Sequence, residues 1–101
     1  MNIVTQMDGS KARLVLDGRF DFNSHVAFNQ SANSLLKNAS VNELELDLEH
    51  VKYIDSSAMG MLLLLKERAT AASKSITLVN CKGAVAQVLE LSNFRRLFTI
   101  K

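Results

Sequence analysis

The chain has 101 residues, 48% of them hydrophobic, which suits one small domain with its own core. Its formal net charge of +2 is too small to indicate binding to nucleic acid or to an anionic membrane surface. The single cysteine, Cys81, cannot form an internal disulfide, and neither a signal peptide nor a segment long enough to span a bilayer is visible. We therefore expect one cytoplasmic domain over residues 1–101, and we expect it to be monomeric.

The first forty residues are predicted to form two strands and a helix. The strand segments, residues 2–7 and 12–17, flank Asp8-Gly9, which is a strong hairpin signal. Residues 24–38 are predicted to be helical, with Ser24 as the N-cap. One side of this helix carries apolar residues at helical spacing: Phe28, Ala32, Leu35 and Leu36.

The remaining elements follow from a change of hydrophobic period. Residues 43–48 alternate strictly between acids and leucines, which predicts a strand with its leucines in the core and its acids toward water. A helix over 56–72, a strand over 75–80, a helix over 84–91 and a short strand over 97–100 complete the chain. The order β-β-α-β-α-β-α-β predicts an α/β fold, with a mixed sheet of four to five strands and helices packed mainly on one face.

Asp55-Ser56-Ser57 lies where the central strand gives way to an apolar helix. Asp is a favoured N-cap, so both serines fall in the first helical turn, where free N–H groups and the helix dipole tolerate a phosphate. The residues alone leave two interpretations open, an ordinary capped helix or a phosphorylation site. They do not choose between Ser56 and Ser57 as the acceptor.

The helix that follows is apolar almost all the way round at Met59 and residues 61–65. Either the sheet and neighbouring helices bury all of these side chains, or Met59 or Leu63 lines an exposed patch beside the serines. Methionine is frequent at adaptable binding surfaces.

No catalytic or cofactor-binding constellation can be assembled from the sequence. His25 and His50 have no metal-ligand spacing with each other or with Cys81, and we expect both histidines to be surface or loop residues. Neither a phosphate-binding loop of the Gly-x-x-x-x-Gly-Lys-Ser/Thr type nor a dinucleotide fingerprint is present. We expect a protein that is not an enzyme and that needs no cofactor or metal.

Residues 55–60, Asp-Ser-Ser-Ala-Met-Gly, resemble the Asp-Ser-Ser/Thr-Gly-Leu-Gly signature of STAS domains that act as anti-sigma factor antagonists. Ala58 stands where that family usually has glycine. The resemblance extends in the same order to residues 18–21, 44–48 and 93–98, and so covers nearly the whole chain. The run from Asp55 to Leu65 is most similar to proteobacterial members. The STAS fold is therefore the expected architecture.

The resemblance implies a phosphorylation switch. In this family the unphosphorylated antagonist binds an anti-sigma factor and frees the sigma factor. A serine kinase, often the anti-sigma factor itself, inactivates the antagonist, and a serine/threonine phosphatase, often fused to a response-regulator receiver domain, restores it. The acceptor position corresponds to Ser56. The expected partner surface combines the start of the second helix with the loop before the first helix: Asp55, Ser57, Met59, Gly60 and Leu63 with Asp21, Phe22, Asn23 and Ser24.

Two other functions stay open. A STAS domain can be an adaptor subunit of a transport complex, in which phosphorylation would be irrelevant; the intact Asp55-Ser56-Ser57 argues against this. A phosphocarrier would pass its phosphate onward and usually needs a labile phosphohistidine, for which neither His25 nor His50 has a convincing setting.

Overall fold

The computed structural model describes residues 1–101, which form five strands and three α-helices. Two short 3₁₀ turns, Phe22–Ser24 and Phe94–Arg96, precede α1 and β5. In chain order the elements are β1 (Asn2–Asp8), β2 (Lys11–Phe20), α1 (His25–Lys37), β3 (Glu43–Ile54), α2 (Ser56–Ala71), β4 (Ser75–Val79), α3 (Gly83–Leu91) and β5 (Thr99–Ile100). The predicted order of elements is confirmed.

The strands form one mixed sheet in the order β1-β2-β3-β4-β5. β1 and β2 are an antiparallel hairpin, whereas β2, β3, β4 and β5 run parallel. Gly9 has φ 61°, as the first position of a type II′ hairpin turn requires. Each of the three crossovers moves one strand further in the same direction, so right-handed crossing places all three helices on one face of the sheet. The predicted α/β fold is confirmed.

The core lies between this sheet face and the helices. It contains the alternate residues Leu14, Leu44, Leu46 and Leu78 of the three central strands, all inaccessible to solvent. The helices contribute to it at helical spacing, from α1 (Phe28, Ala32, Leu35), α2 (Ala58, Met61, Leu62, Leu65, Ala69) and α3 (Val85, Leu89). Phe20 at the end of β2 packs against Phe28, with ring centroids 5.0 Å apart. None of the helices combines the length and apolar character needed to cross a bilayer.

The prediction that the acids of β3 face water is wrong for two of the three. Glu45 and Asp47 lie on the helix-free face of the sheet, yet they are only 5% and 7% exposed. Long basic side chains from β2 cover them: Lys11 Nζ lies 3.3 Å from Glu45 Oε2, and the Arg13 guanidinium pairs with both carboxylates. Asp47 also accepts hydrogen bonds from the Glu49 N–H and the Asn80 amide. Ion pairs between β2 and β3 therefore bury these two carboxylates. The alternation of acids and leucines within β3 cannot predict such pairs.

β2 and β3 are longer than the sequence predicted. The register between them shifts by one residue between Val15 and Asp17 and again between Gly18 and Arg19, and β3 holds the extra residue each time. Such bulges interrupt the side-chain alternation, so the pattern breaks after Leu48 although the strand continues to Ile54. The extension matters for the site because it brings the end of β3 level with the end of β2.

Candidate functional site

Two aspartates mark the carboxyl edge of the sheet. Phe20 and Ile54 are the last paired residues of the parallel strands β2 and β3, so Asp21 and Asp55 follow directly at neighbouring positions. The Asp55 N–H extends the pairing by donating to the Phe20 carbonyl at 3.3 Å. The elements that start here, the 3₁₀ turn before α1 and helix α2, contact each other. The structure therefore brings together the two segments on which the predicted site depends.

Asp55 is the N-cap of α2. Its backbone is extended (φ −112°, ψ −179°), and its Oδ1 accepts a hydrogen bond from the Ala58 N–H at 2.8 Å. The Met59 N–H bonds to the Asp55 carbonyl at 3.1 Å, which leaves the N–H groups of Ser56 and Ser57 without an intrahelical acceptor. The sequence prediction of this cap is confirmed.

The two serines differ in accessibility. Ser56 is exposed, Ser57 is half-buried, and Ala58 is fully buried against the core. Ala58 lies in a helix, where alanine is more favourable than the glycine that STAS domains usually have at this position. Ser56 is therefore the more accessible of the two serines.

A second N-cap shapes the neighbouring loop. Asp21 Oδ1 accepts a hydrogen bond from the Asn23 N–H at 3.0 Å, and the Asp21 N–H donates to the Ser24 hydroxyl at 3.3 Å. The Ser24 hydroxyl in turn donates to the Arg19 carbonyl at 2.9 Å. This reciprocal arrangement is a capping box that fixes the path of the chain from β2 into α1.

The roles predicted for Ser24 need correction. Ser24 makes no side-chain bond to the start of α1, so it is not the cap of that helix; Asp21 caps the preceding 3₁₀ turn instead. Ser24 is also only 3% exposed, because its hydroxyl is turned inward onto the Arg19 carbonyl. Its side chain supports the loop and is not available to a partner.

The apolar side chains around the serines are partly open to solvent. Phe22 is 71% exposed and stacks on His25, with ring centroids 6.4 Å apart. On α2, Gly60 and Leu63 are exposed, whereas Met59 is half-buried with its sulfur 3.9 Å from the Ser92 hydroxyl. The apolar run of α2 is therefore not completely buried, and Leu63 and Leu64 face solvent.

Sequence reasoning missed Arg19, Tyr53 and Val26 at this edge. Arg19 and Tyr53 are register partners, and the Arg19 guanidinium lies 4.2 Å from the centre of the Tyr53 ring. Arg19 Nε also lies 3.5 Å from Asp21 Oδ2, and Val26 is exposed one helical turn after Phe22. The sequence did contain a signal for this pair. Arg19 lies two residues before Asp21, and Tyr53 lies two residues before Asp55, so aligning the two segments on these aspartates pairs Arg19 with Tyr53.

The remaining reactive side chains are two histidines and one cysteine. His25 and His50 are exposed, as predicted. Burial raises the pKa of the Cys81 thiol; the charge of Asp47 adds to this effect, while that of Arg95 opposes it. No three His, Cys, Asp or Glu side chains lie close enough together to hold a metal ion. This edge of the sheet therefore offers an accessible serine beside exposed apolar side chains.

The sequence has a clear family match. Residues 3–99 match the family model described as "Mlab, STAS domain". The chain is also 38% identical over 93 residues to a STAS-domain containing protein from Pseudomonas aeruginosa (strain UCBPP-PA14). That alignment covers 92% of this chain and 90% of the relative.

Two solved structures have the same fold at lower identity. An anti-sigma factor antagonist from Mycobacterium paratuberculosis superposes with a TM-score of 0.86 at 16% identity, covering 98% of this chain and 83% of that one. The phosphorylated form of SpoIIAA, a Bacillus cell fate determinant, superposes with a TM-score of 0.76 at 16% identity, covering 99% of this chain and 91% of that one. At these identities the likeness establishes the fold.

Proposed function

This chain belongs to the STAS-domain family, and we propose that it is an anti-sigma factor antagonist switched by phosphorylation of Ser56. In this proposal the unphosphorylated protein binds an anti-sigma factor, or a serine kinase that has that role, and so releases a sigma factor. Phosphorylation of Ser56 blocks binding, and a serine/threonine phosphatase, in some systems linked to a response regulator, restores it. All of these partners would act in the cytoplasm.

The observation that carries the proposal is the exposed Ser56 hydroxyl directly after the Asp55 cap. A phosphate adds about −1.5 to −2 charges and three acceptor oxygens. At the first residue of α2 the helix dipole and the free N–H groups of Ser56 and Ser57 favour such a charge, so the domain need not unfold to accept it. Ser57 is the poorer acceptor because its side chain is half-buried.

The same charge would oppose binding at the surface around Ser56. Phe22, Gly60 and Leu63 are exposed there, and a partner that covers them would also have to strip water from the phosphate. The carboxylates of Asp21 and Asp55 add like charge at the same edge of the sheet. Phosphorylation can thus leave the fold intact and still weaken association, which is what a binding switch requires.

Two relatives supply independent support. The M. paratuberculosis structure is described as an anti-sigma factor antagonist, and SpoIIAA has been determined in a phosphorylated form on the same fold. The alternative function, an adaptor subunit of a transport complex, needs no accessible serine at this position. A stable complex with a transporter ATPase that is equally strong for wild type and Ser56→Asp would favour that alternative.

Phosphopeptide mapping of protein isolated from its own host tests the proposal. We expect one phosphate on Ser56, and we expect the Ser56→Ala variant to carry none. Ser57→Ala is the matched control, because it removes the neighbouring hydroxyl and should leave the modification in place. Phosphate found only on Ser57, or still present in Ser56→Ala, would refute the assignment.

A further inference from the structure

The outer edge of the sheet at β1 lacks the usual protection against strand pairing. β1 is seven residues long and lies at the end of the sheet, and residues 2–7 contain neither a charged residue nor a proline. Its pairing with β2 is regular, without a bulge. Natural edge strands are usually short or carry lysine, proline or a bulge, because their free backbone groups recruit other strands. The opposite edge, β5, has only two residues.

The hairpin determines which backbone groups of β1 face outward. Only Gly9 and Ser10 separate the paired residues Asp8 and Lys11, so this closing pair exchanges the hydrogen bonds of a two-residue hairpin. Bonded pairs recur at every second residue of an antiparallel ladder. The N–H and C=O groups of Ile3, Thr5 and Met7 therefore face away from β2.

These outward groups have no backbone partner elsewhere in the chain. None of the backbone hydrogen bonds made outside the helices and strands involves residues 1–8. The side chains along the strand are also open, with Val4 55% exposed and Met7 51% exposed. The edge thus offers three evenly spaced donor–acceptor positions, with one exposed apolar side chain on each face of the strand.

We propose that β1 is a self-association edge, on which a second copy of this chain adds its own β1 antiparallel about Thr5. In this register Thr5 faces Thr5 of the other copy, and Ile3 faces Met7. All three outward positions of each strand then exchange hydrogen bonds. The two five-stranded sheets become one continuous sheet of ten strands around a twofold axis. The proposal does not rest on the switch at Ser56.

The strand is its own best partner for three reasons. The outward positions are symmetric about Thr5, so one copy satisfies every free group of the other. Threonine pairs and apolar pairs across neighbouring strands are favourable, and the register supplies both, Thr5 with Thr5 and Ile3 with Met7. The one charged residue of β1, Asp8, falls opposite the neutral Asn2, so no like charges meet.

Such a contact is small. Seven residues on each side bury less than the roughly 1,200 Å² of a typical stable complex, so association should be weak and dependent on concentration. The chain should therefore be a monomer at low protein concentration and should associate only at high concentration or where copies are held close together.

Sedimentation equilibrium of the full chain from about 10 μM to about 1 mM tests the proposal with charge variants at the twofold axis. Wild type should rise from the 11.2 kDa monomer mass toward twice that value. Thr5→Lys and Thr5→Glu each place like charges opposite one another and should associate at least about fivefold more weakly. An equimolar mixture of the two variants should recover the association. Thr99→Lys, which makes the same substitution on β5, should behave as wild type.

Circular dichroism melts of each variant would confirm that it is folded, and amide exchange gives a second readout. The amides of Ile3, Thr5 and Met7 should gain protection as wild-type concentration rises. Wild type that stays at the monomer mass throughout, or Thr5→Lys that associates as strongly as wild type, would overturn the proposal. So would a mixture of the two variants that fails to associate, because it excludes the register about Thr5.

Discussion

Glu45 shows how a residue on an open sheet face comes to be buried. Burial by itself would raise the pKa of its carboxyl. The hydrogen bonds and charges of Lys11 and Arg13 outweigh that effect, and they hold the pKa below its ordinary value. These partners come from β2, so the ion pairs join the neighbouring strands β2 and β3 in one register.

The lowered pKa predicts a specific acid sensitivity. A carboxyl with a lowered pKa in the folded state stabilises the protein above its unfolded pKa, and this stabilisation disappears as the pH falls through the folded pKa. Glu45→Gln should therefore cost about 1–2 kcal/mol of unfolding free energy at neutral pH, at the low end for charged hydrogen bonds because Lys11 and Arg13 are partly solvated. The difference from wild type should shrink as the pH falls to about 3.

Urea unfolding of both proteins across this pH range measures the effect. Glu43→Gln is the matched control, since Glu43 lies on the same strand as Glu45 and makes no ion pair. A destabilisation by Glu45→Gln that is the same at acidic and neutral pH would show that the ion pairs do not hold the carboxylate in its charged form.

Asp21 and Asp55, each directly after a strand, both cap the element that follows. Asp55 caps the sixteen-residue helix α2, and Asp21 caps a single 3₁₀ turn. Helix α2 also supplies five core residues, so loss of its cap affects an element on which the whole core depends. Ser56, one residue further on, has no capping hydrogen bond to lose.

We therefore expect substitution of Asp55 to affect stability and substitution of Ser56 to affect partner binding instead. Asp55→Ala should lower the unfolding free energy by about 0.5–2 kcal/mol, because the Ala58 N–H loses its acceptor. Ser56→Asp should leave stability unchanged or raise it by about 0.3–1 kcal/mol, because a carboxylate in the first helical turn is favourable. Thermal and urea unfolding would distinguish the two. A Ser56→Asp variant less stable than Asp55→Ala would contradict this division of roles.

Local sequence signals predicted the order of the helices and strands, whereas contacts between residues distant in sequence determined which acids are buried and how long β3 is. The Asp8-Gly9 turn, the acid–leucine alternation of residues 43–48 and the Asp55 cap are encoded by neighbours in sequence. The burial of Glu45 and Asp47 depends on β2 lying beside β3, and the bulges that lengthen β3 leave no pattern in one sequence. Ser24 was the predicted cap, and only the backbone path shows that Asp21 is the residue that accepts the capping bond.

The candidate site, too, could be predicted only in part from local sequence signals. The residues placed Ser56 and Ser57 in a first helical turn without choosing between them, since exposure depends on how α2 sits against the sheet. The choice of Ser56, and the nearness of Asp21, came from the family resemblance. The parallel pairing of Phe20 with Ile54 now provides a structural reason for the second of these.

We expect the charge at Ser56 to decide whether the partner binds. The anti-sigma factor is first isolated by its binding to the wild-type protein. Calorimetric titration then measures its affinity for wild type, Ser56→Ala, Ser56→Asp and the control Ser40→Asp. Ser40 is exposed in the loop that precedes β3, whereas Ser56 follows the other end of that strand. Ser40→Asp therefore adds the same charge away from the site. We predict that Ser56→Ala and Ser40→Asp bind as wild type and that Ser56→Asp binds at least about tenfold more weakly, a loss of about 1.4 kcal/mol. Equal affinity of Ser56→Asp and wild type would show that Ser56 is not the switch.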